Sequence, residues 1–70
     1  MIDKVITSLQ DVESMQEINL ITGLEFDSTD NWVDLLAFDE NPELKKYVKD
    51  YEFDALQNGE ADYIAFRFDD

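Results

Sequence analysis

The segment EADYIAFRF, residues 60–68, decides the fold. Ile64, Phe66 and Phe68 recur at period two among aromatic and β-branched neighbours, and the turn dipeptide Asn58-Gly59 stands just before them. This is the signature of a β-strand. A lone strand is not stable, so it needs the N-terminal segment, a second copy of the chain or another domain as its pairing partner. The N-terminal MIDKVITSLQ, residues 1–10, offers β-branched Ile2, Val5, Ile6 and Thr7, although its apolar positions 2, 5, 6 and 9 fit a helix as well. The expected fold class is α+β: one small domain over residues 1–70 with about three helices and a C-terminal strand, open to pairing with the N-terminal segment. A mainly α fold is the alternative.

Working outward from that strand, YEFDALQNG (residues 51–59) reads as a short helix closed by Asn58-Gly59. Before it, Asn41 as N-cap and Pro42 at the first helical position open a helix on which Leu44, Tyr47, Val48 and Tyr51 follow one face. Lys45, Lys46 and Lys49 take the opposite face, where they are expected to be solvated and paired with nearby acids. DSTDN (residues 27–31) is a cluster of cap and turn residues, so a helix is expected from about Ser28 to Asp30 through NWVDLLAF. That helix would turn Trp32, Leu35 and Leu36 inward and leave Phe38 as the aromatic most open to solvent. Ser8 followed by Asp11 signals a helix start near residues 9–11. Val12, Met15, Ile18 and Ile21 then form its stripe, and Gly23 is the plausible stop.

Charge is the dominant compositional fact. The 70 residues hold 18 acids against 5 bases, a net charge of −13 that opposes compactness through self-repulsion. Eleven acids against Lys4 alone give −10 over residues 1–44, whereas residues 45–70 carry seven acids against four bases. Such a surface repels nucleic acid and anionic membranes, so the expected partners are basic proteins. The apolar content of 44% and five Phe argue against a disordered acidic tail. With no run of about 18 apolar residues and no signal-peptide core at the N-terminus, a cytoplasmic location is expected.

Several chemistries are excluded. The chain has neither His nor Cys, which removes the commonest general base, the thiolate nucleophile and the usual zinc and iron ligands. Its only glycines, Gly23 and Gly59, form no phosphate-binding loop. The acid-rich stretch from Asp27 has Trp32 where a calcium loop needs Gly and Phe38 where it needs a bidentate Glu. No enzyme activity, cofactor or metal is therefore expected.

What remains is the acids themselves. Asp30 and Asp34 on the expected second helix, and Glu13 and Glu17 on the first, stand four residues apart, so each pair shares a face without a basic neighbour. Four residues of helix span about 6 Å, against about 3.4 Å between phosphates along one DNA strand with a second strand alongside. Rigid carboxylates at this density could stand in for phosphates. The set expected to do so is Glu13, Glu17, Asp27, Asp30, Asp34, Asp39 and Glu40; the plainer reading is a face that keeps a small protein soluble and monomeric.

SLQDVESMQEINLITGL and YEFDALQNGEADYIAF resemble, in word order, the pattern of ArdA-type antirestriction proteins: an acidic helix with a Glu-Ile-Asn core, a Phe-Asp-Ala-Leu segment, an Asn-Gly turn and an aromatic strand. That family comprises DNA mimics of phages and mobile elements that occupy the DNA-binding surface of type I restriction–modification enzymes. Its members are much longer, so this chain corresponds to one module at most. The resemblance extends to small acidic phage proteins such as anti-CRISPRs, which block the DNA channel of Cas effectors. It implies a stoichiometric inhibitor whose partner is a restriction enzyme or Cas effector, acting in the host cytoplasm. The competing expectation is an interaction module, an antitoxin or assembly factor, that anchors a basic partner on an apolar patch with an acidic rim.

Overall fold

The β-branched start of the chain does become a strand. In the computed structural model, which describes residues 4–69, β1 (Val5–Asp11) is followed by α1 (Val12–Thr22), β2 (Asn31–Val33), α2 (Leu35–Glu40), a 3-10 helix (Pro42–Tyr47), α3 (Asp50–Gln57) and β3 (Tyr63–Asp69). The three strands form one mixed sheet in the order β1-β3-β2, with β3 parallel to β1 and antiparallel to β2. The fold is thus α+β, and the strand read from EADYIAFRF is the centre of the sheet. The N-terminal segment is its partner, although Ile2 lies outside the described residues.

The register divides the sheet into two faces. Ile64, Phe66 and Phe68 of β3, with Val33 of β2, point to one side and meet Ile18 of α1, Phe38 of α2, Leu44 of the 3-10 helix and Leu56 of α3. These eight buried residues are the core cluster. All the helices contribute to this side. Aromatic contacts extend it, with Phe26 tilted against Phe66 at 5.4 Å and Phe38 edge-on to Phe53 at 5.4 Å between ring centroids.

Local capping explains where the helices begin and end. Asp11 is itself the N-cap of α1, its carboxylate accepting from the Ser14 N–H at 2.6 Å; the start falls at Val12 and Ser8 is instead buried in β1. Gly23, at φ 75°, ends the helix in the left-handed conformation that the sequence suggests, and donates to the Asn19 carbonyl. Ile18 is fully buried, but Ile21 at the end of the stripe is exposed.

Two expected helices are corrected. The segment at Asn31–Val33 is a strand, and α2 begins only at Leu35 because Asp34, not a residue at 28–30, supplies the cap by accepting from the Ala37 N–H at 3.1 Å. Consequently Trp32 and Leu36 are exposed, Leu35 is half-buried, and Phe38 is 0% exposed in the core. The inward and outward assignments of Leu36 and Phe38 are therefore reversed. Asn41 and Pro42 do open a helix, but it is a 3-10 helix that ends at Tyr47; Val48 is extended, and α3 starts afresh after Lys49, whose N–H donates to Glu52 at 2.8 Å. Tyr51 lies outside the stripe and is exposed. α3 closes as expected at Asn58-Gly59, with Gly59 at φ 79°.

Candidate functional site

The acidic surface can be followed residue by residue. Of the ten acids between residues 5 and 44, nine are exposed and Asp30 is half-buried. Glu13 and Glu17 remain four apart on α1 and both are exposed, as the spacing requires. Asp39 and Glu40 are exposed at the end of α2. Asp30 and Asp34 share no helical face, because strand β2 separates them; the expected pair does not form.

Three of the carboxylates singled out from the sequence also work within the fold. Asp27 anchors the loop before β2 by accepting from the Thr29 N–H at 2.9 Å, while Asn31 donates to the carbonyls of Asp27 and Thr29. The Thr29 hydroxyl, and then its backbone N–H, hold the Asp27 carboxyl below its ordinary value. Asp34 caps α2. Asp30 accepts from Arg67 Nε at 3.1 Å, the single ion pair among the described residues, and this contact raises the guanidinium above its usual range. Asp30 is thereby neutralised and contributes least to an outward field. A capping carboxylate, by contrast, keeps its full charge, and backbone donors favour the ionised form.

The lysines depart from their expected pairing. Lys45 places its amine 4.6 Å from the centroid of Phe53, and Lys49 lies 5.9 Å from that of Tyr51. Neither pairs with a carboxylate among the described residues, so the acids keep their field. At the end of the 3-10 helix, Tyr47 is held above the ordinary phenol range by burial and then by a hydrogen bond to Glu17 of α1.

The sheet face away from the helices was not singled out from the sequence. The register places Val5, Thr7 and Leu9 of β1, Tyr63, Ala65 and Arg67 of β3 and Trp32 of β2 together there. Leu9 is 65% and Trp32 49% exposed. The signal was present as alternation in VITSLQD, but it needs β2 to be read as a strand before Trp32 joins the face. A groove of about 200 Å³ also runs beside β1, lined by Thr7, Leu9, Tyr47, Lys49 and Tyr51 among others. Among the described residues no group of three or more His, Cys, Asp or Glu is arranged to hold a metal ion, and no helix is long and apolar enough to cross a membrane.

Comparison with family models, with curated proteins and with solved structures finds no match to this chain.

Proposed function

We propose that this protein is a stoichiometric inhibitor that occupies a basic, nucleic-acid-binding surface of another protein in the manner of a DNA mimic. The observation that carries this reading is the uncompensated field: nine exposed carboxylates between residues 5 and 44, with Arg67–Asp30 the one internal ion pair among the described residues. Glu13, Glu17, Asp27, Asp34, Asp39 and Glu40 act as phosphate surrogates, and Asp30 holds the β2 end in place. The resemblance to antirestriction proteins makes a restriction enzyme or a Cas effector in the bacterial cytoplasm the preferred partner. No catalytic step is involved; the effect is competition for a site.

Complementary charge speeds encounter and makes it sensitive to salt. The test is to capture a partner from bacterial lysate at low salt, purify it, and ask whether duplex DNA displaces the protein. Displacement supports mimicry. Simultaneous binding of DNA and protein supports the second reading, an interaction module anchored on an apolar patch, for which the exposed Trp32 and Leu9 are the specific observation. Reversal of Asp39 and Glu40 to Lys should weaken the complex and flatten its salt dependence; unchanged affinity would remove this face from the mimic.

A further inference from the structure

The outer edge of β1 is unguarded. The Lys4 carbonyl accepts from the N–H groups of Asp62 and Tyr63, at 2.8 and 3.3 Å, so Lys4 turns its backbone toward β3. Alternation along a strand then aims the N–H and C=O groups of Ile6, Ser8 and Gln10 at β3, and those of Val5, Thr7 and Leu9 away from it. Among the described residues none of these outward groups has a backbone partner. Natural sheets protect such edges with short strands, lysine, proline or a bulge. β2, at the opposite edge, is three residues long. β1 is seven residues long, reads VITSLQD with neither Lys nor Pro, and keeps an unbroken register with β3 over seven pairs.

The space beside this edge is shaped to receive something. The groove of about 200 Å³ lies against Thr7 and Leu9 and is walled by Tyr47, Lys49 and Tyr51. A strand added to a sheet sits about 4.8 Å from its neighbour, which places it in this groove. Leu9 and Tyr51 are 65% and 64% exposed and would pack on its side chains. At the far end of β1, Asp11 and Asp69 stand opposite each other in the register, both exposed, so a cation there would relieve a like-charge pair.

We propose that the outer edge of β1 receives an extended strand from a net-basic partner protein, which adds to the sheet through the backbone groups of Val5, Thr7 and Leu9. The partner's charge rests on the functional reading above; the edge geometry does not. A second copy of this chain is the wrong occupant, because edge pairing would bring two bodies of charge −13 within about one Debye length of each other. The same repulsion opposes self-association through this edge. The carboxylates draw a basic surface in, and the edge fixes its register.

The probe is a peptide of about eight residues that alternates arginine with valine, compared with the same peptide N-methylated at every residue, so that neither of its edges can pair. Both carry the same charge, and only the first has backbone N–H groups with which to pair. Amide hydrogen exchange of the protein at Thr7 and Leu9 should slow about tenfold with the first peptide and remain unchanged with the second. Leu9→Glu, at an exposed site that tolerates a polar side chain, adds one negative charge and should weaken binding of the first peptide about tenfold. Equal protection by both peptides, or tighter binding to Leu9→Glu, would show a purely electrostatic contact and overturn the proposal. Protection that rises with protein concentration alone would make a second copy the occupant and overturn it equally. Failure of duplex DNA to displace a captured partner would count against mimicry and leave the exchange result standing.

Discussion

Leu36 and Phe38 sit two residues apart on α2, and truncating each to alanine gives a sharp test of the core. Phe38 is 0% exposed and packs edge-on against Phe53 at 5.4 Å, whereas Leu36 is 61% exposed. Emptying a buried phenylalanine site costs about 3–5 kcal/mol, because the lost transfer energy is joined by that of the cavity. A chain of 70 residues has roughly 3.5–10 kcal/mol of total stability at about 0.05–0.15 kcal/mol per residue. Its unfolding entropy is about 0.15 kcal/mol/K near 60 °C, so a loss of 3 kcal/mol lowers Tm by about 20 °C. Phe38→Ala should therefore leave a large unfolded fraction at room temperature. Leu36→Ala removes surface that is already mostly wet and keeps a strong helix former, so it should cost about 1 kcal/mol or less. Thermal unfolding followed by far-ultraviolet circular dichroism measures both. Should Phe38→Ala prove too unstable to give a baseline, Phe38→Leu supplies an intermediate loss of about 1–2 kcal/mol. Equal shifts for the two alanine variants, or a drop of less than about 5 °C for Phe38→Ala, would refute the assignment of Phe38 to the core.

Other outcomes follow from the carboxylates. Asp34→Ala should cost about 1 kcal/mol through loss of the α2 cap while Asp34→Asn retains most of it, so weaker partner binding by the Asn variant at unchanged Tm would assign the charge to recognition. Asp11 and Asp27 have lowered carboxyl values in the fold, so the stability they contribute is present above the ordinary value of 3.8 and is lost as pH falls through the lowered ones; Asp11→Asn with Asp27→Asn should flatten the acid limb of a Tm–pH profile. Tyr47 is raised, so its contribution is present below its ordinary value of 10.0 and is lost as pH climbs above it, and Tyr47→Phe should remove that alkaline loss. Raising salt from low ionic strength to about 1 M NaCl should raise Tm by screening a charge of −13, and a fall in Tm would contradict net self-repulsion.

The parts of this fold legible in the sequence are those where one local signal stands unopposed. Period-two aromatics gave β3, β-branched residues favoured β1, and glycines at 23 and 59 marked helix ends by a backbone conformation that other residues resist. The sequence misleads where two local signals compete. Trp32, Leu35 and Leu36 satisfy helical spacing, and both Asp30 and Asp34 are sound N-caps; only pairing of Asn31–Val33 with β3, a contact with residues 64–66, selects the later cap. Leu44 and Tyr47 are three apart, a spacing shared by α and 3-10 helices, so the pattern could not announce that the helix would stop at Tyr47. For the acidic surface, exposure was legible but pairing was not, since the Arg67–Asp30 contact joins residues 37 positions apart.

That long-range contact separates charge that is available from charge that is spent. A carboxylate that accepts backbone N–H groups, as Asp11, Asp27 and Asp34 do, is not cancelled by a cation among the described residues, and its position is set by the helix or turn it closes. Structural use and recognition of a basic surface are therefore compatible at these positions. Asp30 differs because its partner is a cation, which cancels the charge it would otherwise present. Glu13, Asp39 and Glu40 are exposed and close no helix or turn, whereas Glu17 meets the Tyr47 hydroxyl. A binding surface made of both kinds has anchored carboxylates that set geometry and exposed ones whose side chains are not held by a cap or turn. Alanine substitution at Asp11 or Asp34 should disturb stability and binding together, while substitution at Glu13, Asp39 or Glu40 should disturb binding alone.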